Sequence, residues 1–470
     1  MKIHVVRSGD VLWQIAREYG ADLNQIILAN EISDPNALVV GQSLVIPEPG
    51  KEYVVQSGDD LWRISSQHGV SIQELSRVNN ITDPNILYIG QVLQIPYSHH
   101  VVQRGETLWE IAQRYGLTVN QIAQANNITN LSAIGIGQTL RIPTPARPVT
   151  EVNAYTTRIN EQGAGEIYLL GRNFTYLSPF MHSVREDGTL TELQDAPILA
   201  AAHANNVAPL FVITNFRNSR FDSDLAAAIL RNQTLQDTLI TNIIDTMQAK
   251  GYQGLNIDFE YVYPEDRENY NAFLRKVVSR LHPEGFSVST ALAPKESGEQ
   301  QGLLYEAHDY RAQGQIVDFI ILMTYEWGWA GGRPWAIAPI NKVRDVLDYA
   351  VTVIPREKIV MGAPLYGRDW NIPWVQGTTA RTISPQQGVT LARRYGEAIQ
   401  YNETYQAPFF RYTDENGQRH EVWFEDARSM QAKYDVVKEY GLRGISYWVL
   451  GNPFPQNWPV LRDNFTIRKL

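Results

Sequence analysis

The strongest constraint on this chain is a repeat. The stretch His4-Val5-Val6-Arg7-Ser8-Gly9-Asp10-Val11-Leu12-Trp13 returns as Tyr53 to Trp62 and again as His100 to Trp109, at offsets of 49 and 47 residues. Each copy closes on Ile-Pro, at Ile46-Pro47, Ile95-Pro96 and Ile142-Pro143, so each unit opens and ends on a short strand. Two helices fit between them. The first carries Leu12, Trp13, Ile15, Ala16 and Tyr19 and stops at Gly20; the second opens on an Asp22-x-x-Gln25 cap, repeated as Ser71-x-x-Glu74 and Thr118-x-x-Gln121. Helical spacing beside Ile and Ala predicts that Trp13, Trp62 and Trp109 pack in the small cores. The linkers Glu48-Pro49-Gly50-Lys51, Tyr97-Ser98-His99-His100 and Pro145-Ala146-Arg147-Pro148 are short and two contain Pro, which spaces the units without freeing them. His99-His100 reads as a solvated linker, not a metal site.

This repeat resembles the LysM domain, a βααβ module that binds glycans containing N-acetylglucosamine. Three copies of Gly-(Asp/Glu)-x-Leu-Trp-x-Ile carry the likeness. It implies modules at 1-48, 51-97 and 99-144, each with a glycan groove between the first strand–helix loop and the loop before the last strand. The residues so assigned are Gly9, Asp10, Asn30 and Ile32, then Gly58, Asp59, Asn79 and Ile81, then Gly105, Glu106, Asn126 and Ile128. Three weak sites on one chain would hold an insoluble polymer ~10²-fold better than one.

From Glu151 to Leu470 strand-like runs alternate with helical ones. Strands are expected near Val152 to Thr156, Phe174 to Phe180, Ala208 to Ile213, Gly254 to Phe259, Ser287 to Leu292, Phe319 to Thr324, Lys358 to Ala363 and Gly444 to Val449. Helices are expected at Leu225 to Leu230, Leu235 to Ala249, Glu265 to Leu281, Ile340 to Val353 and Ser429 to Tyr440. Eight βα units predict an α/β TIM barrel at 150-470. The long interval after the seventh strand holds a helix at Pro385 to Tyr395 and a hairpin turning at Asp414-Glu415-Asn416-Gly417, which reads as a small α+β insertion at about 371-425. On the fourth strand, period two puts Asn256, Asp258 and Glu260 on one face. An acidic row on a strand buried on both sides is costly unless it serves chemistry.

The C-terminal part resembles glycoside hydrolase family 18, whose fourth-strand signature is Asp-Gly-x-Asp-x-Asp-x-Glu; here it reads Gln253-Gly254-Leu255-Asn256-Ile257-Asp258-Phe259-Glu260. Met323-Thr324-Tyr325-Glu326, Tyr366-Gly367-Arg368 and Tyr447-Trp448 match three further motifs in order. The resemblance implies a retaining, substrate-assisted reaction. Glu260 protonates the leaving oxygen while the sugar's own 2-acetamido carbonyl attacks the anomeric carbon; Asp258 orients the acetamide, Tyr325 holds its oxygen, and Trp448 floors the pocket. Met323, Tyr366 and Arg368 line the same subsite. Two residues depart from the pattern. Asn256 stands where the family has Asp and is expected to donate an amide hydrogen bond to Asp258; Glu326 replaces the Asp after Tyr325, moving a carboxylate about 1.5 Å toward the acetamido site.

Composition narrows the partners. The net charge of −9 offers no basic excess for nucleic acid or an anionic membrane, while 24 Tyr and 11 Trp suit aromatic-lined grooves, for which sugar binding is one use. With no Cys and no metal-binding spacing among nine His, neither a metal nor a cofactor is expected. No apolar run reaches the ~20 residues of a membrane span, and Met1-Lys2-Ile3-His4-Val5-Val6 runs straight into the repeat with no signal peptide. Such a chain is expected to be made as a soluble cytoplasmic protein. Glycan modules, an acetamido-dependent barrel and no leader together resemble the spore cortex-lytic enzymes of endospore-forming bacteria. That likeness implies an N-acetylglucosaminidase degrading peptidoglycan strands of the spore cortex during germination. Its place would be the coat/cortex boundary, after synthesis in the mother cell, with spore coat proteins as further partners. A chitinase acting on chitin oligomers and a catalytically inert lectin of the same fold stay open as alternatives.

Overall fold

The computed structural model describes residues 1-47, 52-79, 81, 83-143 and 147-470. The expected linker 48-51 therefore lies outside the described residues, as do Pro145 and Ala146. Each repeat folds as strand, helix, helix, strand, its two strands pairing antiparallel: Lys2–Val5 with Ser43–Ile46, Glu52–Val54 with Val92–Gln94, and Tyr97–Val101 with Thr139–Pro143. The capping residues behave as the sequence predicts. Asp22 accepts from the Gln25 N–H, and Ser71/Glu74 and Thr118/Gln121 form reciprocal capping boxes. Gly20 ends the first helix in the left-handed region at φ 62.

Two expectations fail here. The indoles of Trp13, Trp62 and Trp109 are 56%, 66% and 62% exposed, not packed. On a helix of two turns only one i, i+3, i+4 stripe reaches the little sheet, and Leu12, Ile15 and Ala16 occupy it; Trp13, one residue further round, points out. Nor is Tyr97-Ser98-His99-His100 a linker. It is the first strand of the third module, and His100 is buried, its Nε2 bonded to Glu106 at 2.7 Å and its Nδ1 to the Tyr115 hydroxyl at 3.2 Å.

The C-terminal part is a closed barrel of eight parallel strands: β1 Val149–Thr156, β2 Tyr176–Pro179, β3 Ala208–Thr214, β4 Gly254–Asp258, β5 Ser287–Leu292, β6 Phe319–Leu322, β7 Ile359–Pro364 and β8 Gly444–Trp448. Neighbours pair in sequence order, β3 meets β4 from Leu210↔Gly254 to Thr214↔Asp258, and β8 closes on β1 from Gly444↔Glu151. Alternation splits the apolar side chains into two layers. Leu255 and Ile257 of β4 join the core beneath the helices, while Tyr155, Leu210, Val212, Phe319 and Ile321 fill the barrel interior. Helices Glu161–Leu170, Ala196–Ala204, Tyr310–Ile316 and Asn457–Asn464 escape the sequence reading. Ala196–Ala204 shows why: it is apolar nearly all round, so it carries no 3.6-residue stripe.

The insertion is a five-stranded antiparallel sheet, ordered Arg381–Ile383, Gly367–Ile372, Arg419–Trp423, Ala407–Thr413 and Gln400–Asn402, with the helix Pro385–Tyr395 against it. It begins at Gly367 rather than at 371, because Gly367–Ile372 leaves β7 directly into this sheet. A Cβ at Gly367 would meet the Trp423 carbonyl at 2.5 Å, so only glycine allows that close pairing. Tyr366 and Arg368 thus sit where barrel and insertion join. Among the described residues no helix is long and apolar enough to cross a membrane.

Candidate active site

At the C-terminal mouth of the barrel a cleft of about 650 Å³ is lined by Asp258, Glu260, Met323, Tyr325, Glu326 and Trp448, all singled out by the sequence. Asp258 is the last residue of β4 and is buried; Glu260 lies two residues beyond it, half-buried. The strand end is held from two sides. Asn215, just past β3, accepts the Glu260 N–H at 3.0 Å and donates to the Glu260 carbonyl at 2.8 Å and the Asp222 carbonyl at 3.0 Å. From the β5 side, His308 bonds through Nε2 to the Phe259 carbonyl at 3.0 Å, while its Nδ1 accepts the Ala293 N–H at 2.9 Å. Burial pushes the His308 imidazole down to about 4, so it stays neutral and can serve as donor and acceptor at once.

Electrostatics in the cleft favour protonated carboxyls. Burial raises Glu260 well above the usual carboxylate range, and the charges of Asp258 and Glu326 push it further the same way. Asp258 is raised by burial, and among the described residues its Oδ1 has no hydrogen-bond partner. Two coupled carboxyls therefore share a site in which holding both charges is unfavourable. Burial, then the Asp258 charge, also raises the Tyr325 hydroxyl, which keeps it a neutral donor. Gly362 on β7 leaves the space that Tyr325 fills, since a Cβ there would lie 2.8 Å from its ring.

Three expectations change. Asn256 makes no hydrogen bond to Asp258; it accepts the Tyr155 hydroxyl at 2.8 Å and donates to the Ser289 Oγ at 3.0 Å. Strands β1 and β5 thus satisfy its amide across the barrel, and Asp258 is left to the cleft. Glu326 does not project freely toward the sugar site. It sits at φ 69, an uncommon conformation for a residue with a side chain, and accepts from the Tyr366 hydroxyl and from Arg368 Nη2 at 2.8 Å. Tyr366 and Arg368 accordingly stand behind the cleft wall rather than on it, with the guanidinium 4.9 Å over the Tyr366 ring. Trp448 ends β8 with its ring edge-on to Tyr155 at 5.4 Å and to Phe180 at 4.8 Å.

Sequence reasoning misses Tyr155, Asn215 and His308, and also the outer aromatic wall. Phe216 and Phe221 on a hairpin after β3, Tyr261 at φ 54, Tyr305 and the 56% exposed Trp329 extend the cleft outward. Such faces stack on sugar rings. The arrangement can deliver a proton from Glu260 to a bound glycosidic oxygen while Asp258 meets a group on the neighbouring carbon.

Among the module residues, Asn30, Asn79 and Asn126 are structural. Each donates to a helix carbonyl four residues back (Ile26, Leu75, Ile122) and exchanges hydrogen bonds with the last strand (Val45, Gln94, Arg141) at 2.6–2.8 Å. Their amides are therefore spent on the fold and not on a groove. Asp10, Asp59 and Glu106 likewise accept the N–H of Arg7, Gln56 and Gln103 and the side chain of His4, Tyr53 or His100. Gly9, Gly58 and Gly105 lie exposed at φ 90, 86 and 87, where the turn itself requires glycine. Ile32, Ile81 and Ile128 are each half-buried against their module cores, and Ile128 also lines an open hollow.

A fold and a cleft of this kind define a glycosidase, and the chain belongs to the glycosyl hydrolases family 18, whose model matches residues 185–452; the LysM domain matches residues 4–47, 53–96 and 100–143. Those modules bind peptidoglycan- or chitin-like glycans. Among curated proteins the chain is 47% identical to the cortical fragment-lytic enzyme of Bacillus subtilis (strain 168), over 100% of this chain and 99% of that one. It is 45% identical to the cortical fragment-lytic enzyme of Bacillus anthracis, again over 100% and 99%. The crystal structure of the Bacillus megaterium QM B1551 spore cortex-lytic enzyme SleL superposes with a TM-score of 0.78 at 40% identity, covering 100% of this chain and 99% of that one.

Proposed function

We propose that this chain is a retaining N-acetylglucosaminidase that acts on peptidoglycan fragments of the spore cortex during germination. The observation that carries the reading is the pairing of Glu260, whose protonated form is favoured by burial and by neighbouring charge, with Asp258, whose buried Oδ1 has no hydrogen-bond partner among the described residues. An acetamide N–H on the bound sugar supplies the missing partner. Asp258 then turns the acetamido carbonyl toward the anomeric carbon, and Glu260 protonates the departing oxygen. The carbonyl oxygen bonds to the anomeric carbon as the leaving group takes the proton. Glu260, now anionic, removes a proton from the water that opens the resulting ring, so configuration is retained. Tyr325 donates to the acetamido oxygen, Trp448 and Met323 support the sugar face, and Asn256, Glu326, Tyr366 and Arg368 fix the groups that touch it.

The chemistry also selects the bond. A muramic lactam ties its nitrogen into a ring and has no free acetamide to attack, so it cannot occupy the reacting subsite. Cleavage falls on the reducing side of N-acetylglucosamine. The relatives' names, cortical fragment-lytic enzyme and spore cortex-lytic enzyme, support cortex as the source of the substrate, and a coat/cortex location with coat proteins nearby follows from it. Comparing initial rates on purified cortex fragments and on chitin oligomers tests this. Faster turnover of fragments is expected; a clear preference for chitin makes the protein a chitinase, and no turnover of either makes it a lectin.

A further inference from the structure

The three modules are not equivalent in how they meet the barrel: Met1 of the first pairs with Asp463 at 2.6 Å and Glu52 of the second with Arg462 at 3.0 Å, and one loop shows the difference in detail. Aligned on Asn30, Asn79 and Asn126, the loop before the last strand places Val39, Tyr88 and Gly135 at the same position, followed by Val40, Ile89 and Ile136 and then by Gly41, Gly90 and Gly137. In the first module Val39 is buried in the core of the insertion beside Ile383, Ile399, Phe410 and Phe424. Its neighbours are locked there too. The Val40 carbonyl accepts the Ile399 N–H at 2.8 Å, the Gly41 carbonyl accepts Arg428 Nη2 at 3.1 Å, and the Glu31 carbonyl accepts Gln386 at 3.1 Å. A Cβ at Gly41 would lie 1.8 Å from the Ile399 carbonyl.

The second module uses the same position more lightly. Tyr88 stacks on Tyr168 of the barrel at 5.4 Å, Asn79 accepts Arg172 at 3.1 Å, and a Cβ at Gly90 would lie 3.8 Å from Leu169. In the third module the docking side chain is gone. A Cβ at Gly135 or Gly137 would meet nothing within 4 Å, and among the described residues the hydrogen bonds of 100–143 stay within the module, while Tyr97 of its first strand bonds the second module, at the Gly69 carbonyl and Glu74 (3.3 Å each). The start of that loop, with the helix Val119–Ala125 before it, instead borders an open hollow of about 510 Å³ lined by Asn120, Gln124, Asn127, Ile128, Thr129 and Leu131; Leu131 is 44% exposed, and Ile136, further along the loop and outside the hollow's lining, is 71% exposed.

We infer that the modules divide their work: the first is a fixed structural part of the catalytic unit, and the loop face of the third is the surface that holds a glycan strand containing N-acetylglucosamine. The occupant follows from the module family and from the chemistry of the hollow. Neutral amides and a hydroxyl flank apolar side chains there, which matches the hydroxyl, acetamido and ring-face character of an uncharged sugar. Because the same loop in the first module is fastened to the insertion, that module cannot open its loop without exposing Val39.

Retention of the full-length protein on insoluble peptidoglycan sacculi tests this with matched substitutions. Ile136→Glu and Leu131→Glu in the third module are expected to weaken retention at least tenfold. Val40→Glu, which alters the same loop position as Ile136 in the first module, is expected to change it less than twofold. Equal loss from Val40→Glu, no loss from the third-module variants, or no retention of the parent protein would each overturn the assignment. Circular dichroism of every variant separates lost binding from lost folding, and an Ile136→Val variant that restores retention ties the loss to apolar contact. Hydrolysis of a short soluble N-acetylglucosamine oligomer by the parent protein reads the barrel alone, so failure of the proposed reaction is visible separately from failure of this division.

Discussion

Replacing Asn215 with alanine tests whether the position of Glu260 is built by the barrel or merely tolerated by it. The side chain is fully buried and makes three hydrogen bonds, two of them to the peptide of Glu260 and one to the Asp222 carbonyl. Each buried bond contributes about 0.5–1.5 kcal/mol net, so the variant is expected to lose about 2–4 kcal/mol of stability. The larger consequence is geometric. With its N–H and carbonyl released, Glu260 can drift by about 1 Å, and a misplacement of that size costs up to ~10²-fold in rate. We expect kcat on a chromogenic N-acetylglucosamine oligomer to fall roughly 10- to 100-fold with little change in KM, measured well below the lowered melting temperature. A kcat within twofold of the parent, beside a clear drop in melting temperature, would refute the argument and leave Asn215 a purely structural residue.

Four further outcomes follow. Asp258→Asn abolishes turnover yet raises the melting temperature above neutral pH: burial raises the folded-state pKa of Asp258, so its contribution is complete below the ordinary carboxyl range and is lost as pH climbs through the folded value, a tenfold change in proton affinity being worth ~1.4 kcal/mol. At pH 4 the gain should vanish, and melting scans at pH 4 and 8 check both. Glu326→Gln removes a charge that raises Glu260, so the alkaline limb of the kcat/KM profile should move to lower pH; an unmoved limb contradicts the coupling. Tyr155→Phe leaves Asn256 Oδ1 without its donor and should cost about 1–3 kcal/mol in denaturant unfolding. Gly41→Ala should destabilise the protein far more than Gly137→Ala, since both have φ above 80 but only Gly41 abuts the Ile399 carbonyl.

Much of the fold could be read from periodicity. All eight barrel strands lie close to their expected positions, because a buried parallel strand is a short apolar run bounded by turns, and the acidic row of β4 interrupts one visibly. Side-chain direction on short helices was harder. Trp13, Trp62 and Trp109 look like core residues in a linear pattern, and only the width of a two-stranded sheet decides that Leu12 and Ile15 fill it instead. The module asparagines mislead for a related reason: Asn30 bonds to Val45, fifteen residues away, and no local motif announces a buried amide that ties helix to strand. Within the cleft, Glu260 and Asp258 belong to one strand and so can be read together. Asn215, His308 and Tyr155 act on that strand from β3, β5 and β1, and closing the barrel is what brings them there.

The most direct test of the account is mass spectrometry of the products released from purified cortex fragments. Catalysis assisted by the substrate's acetamide predicts N-acetylglucosamine at every new reducing end and no cleavage after muramic lactam. Products ending in muramic acid or its lactam would contradict it.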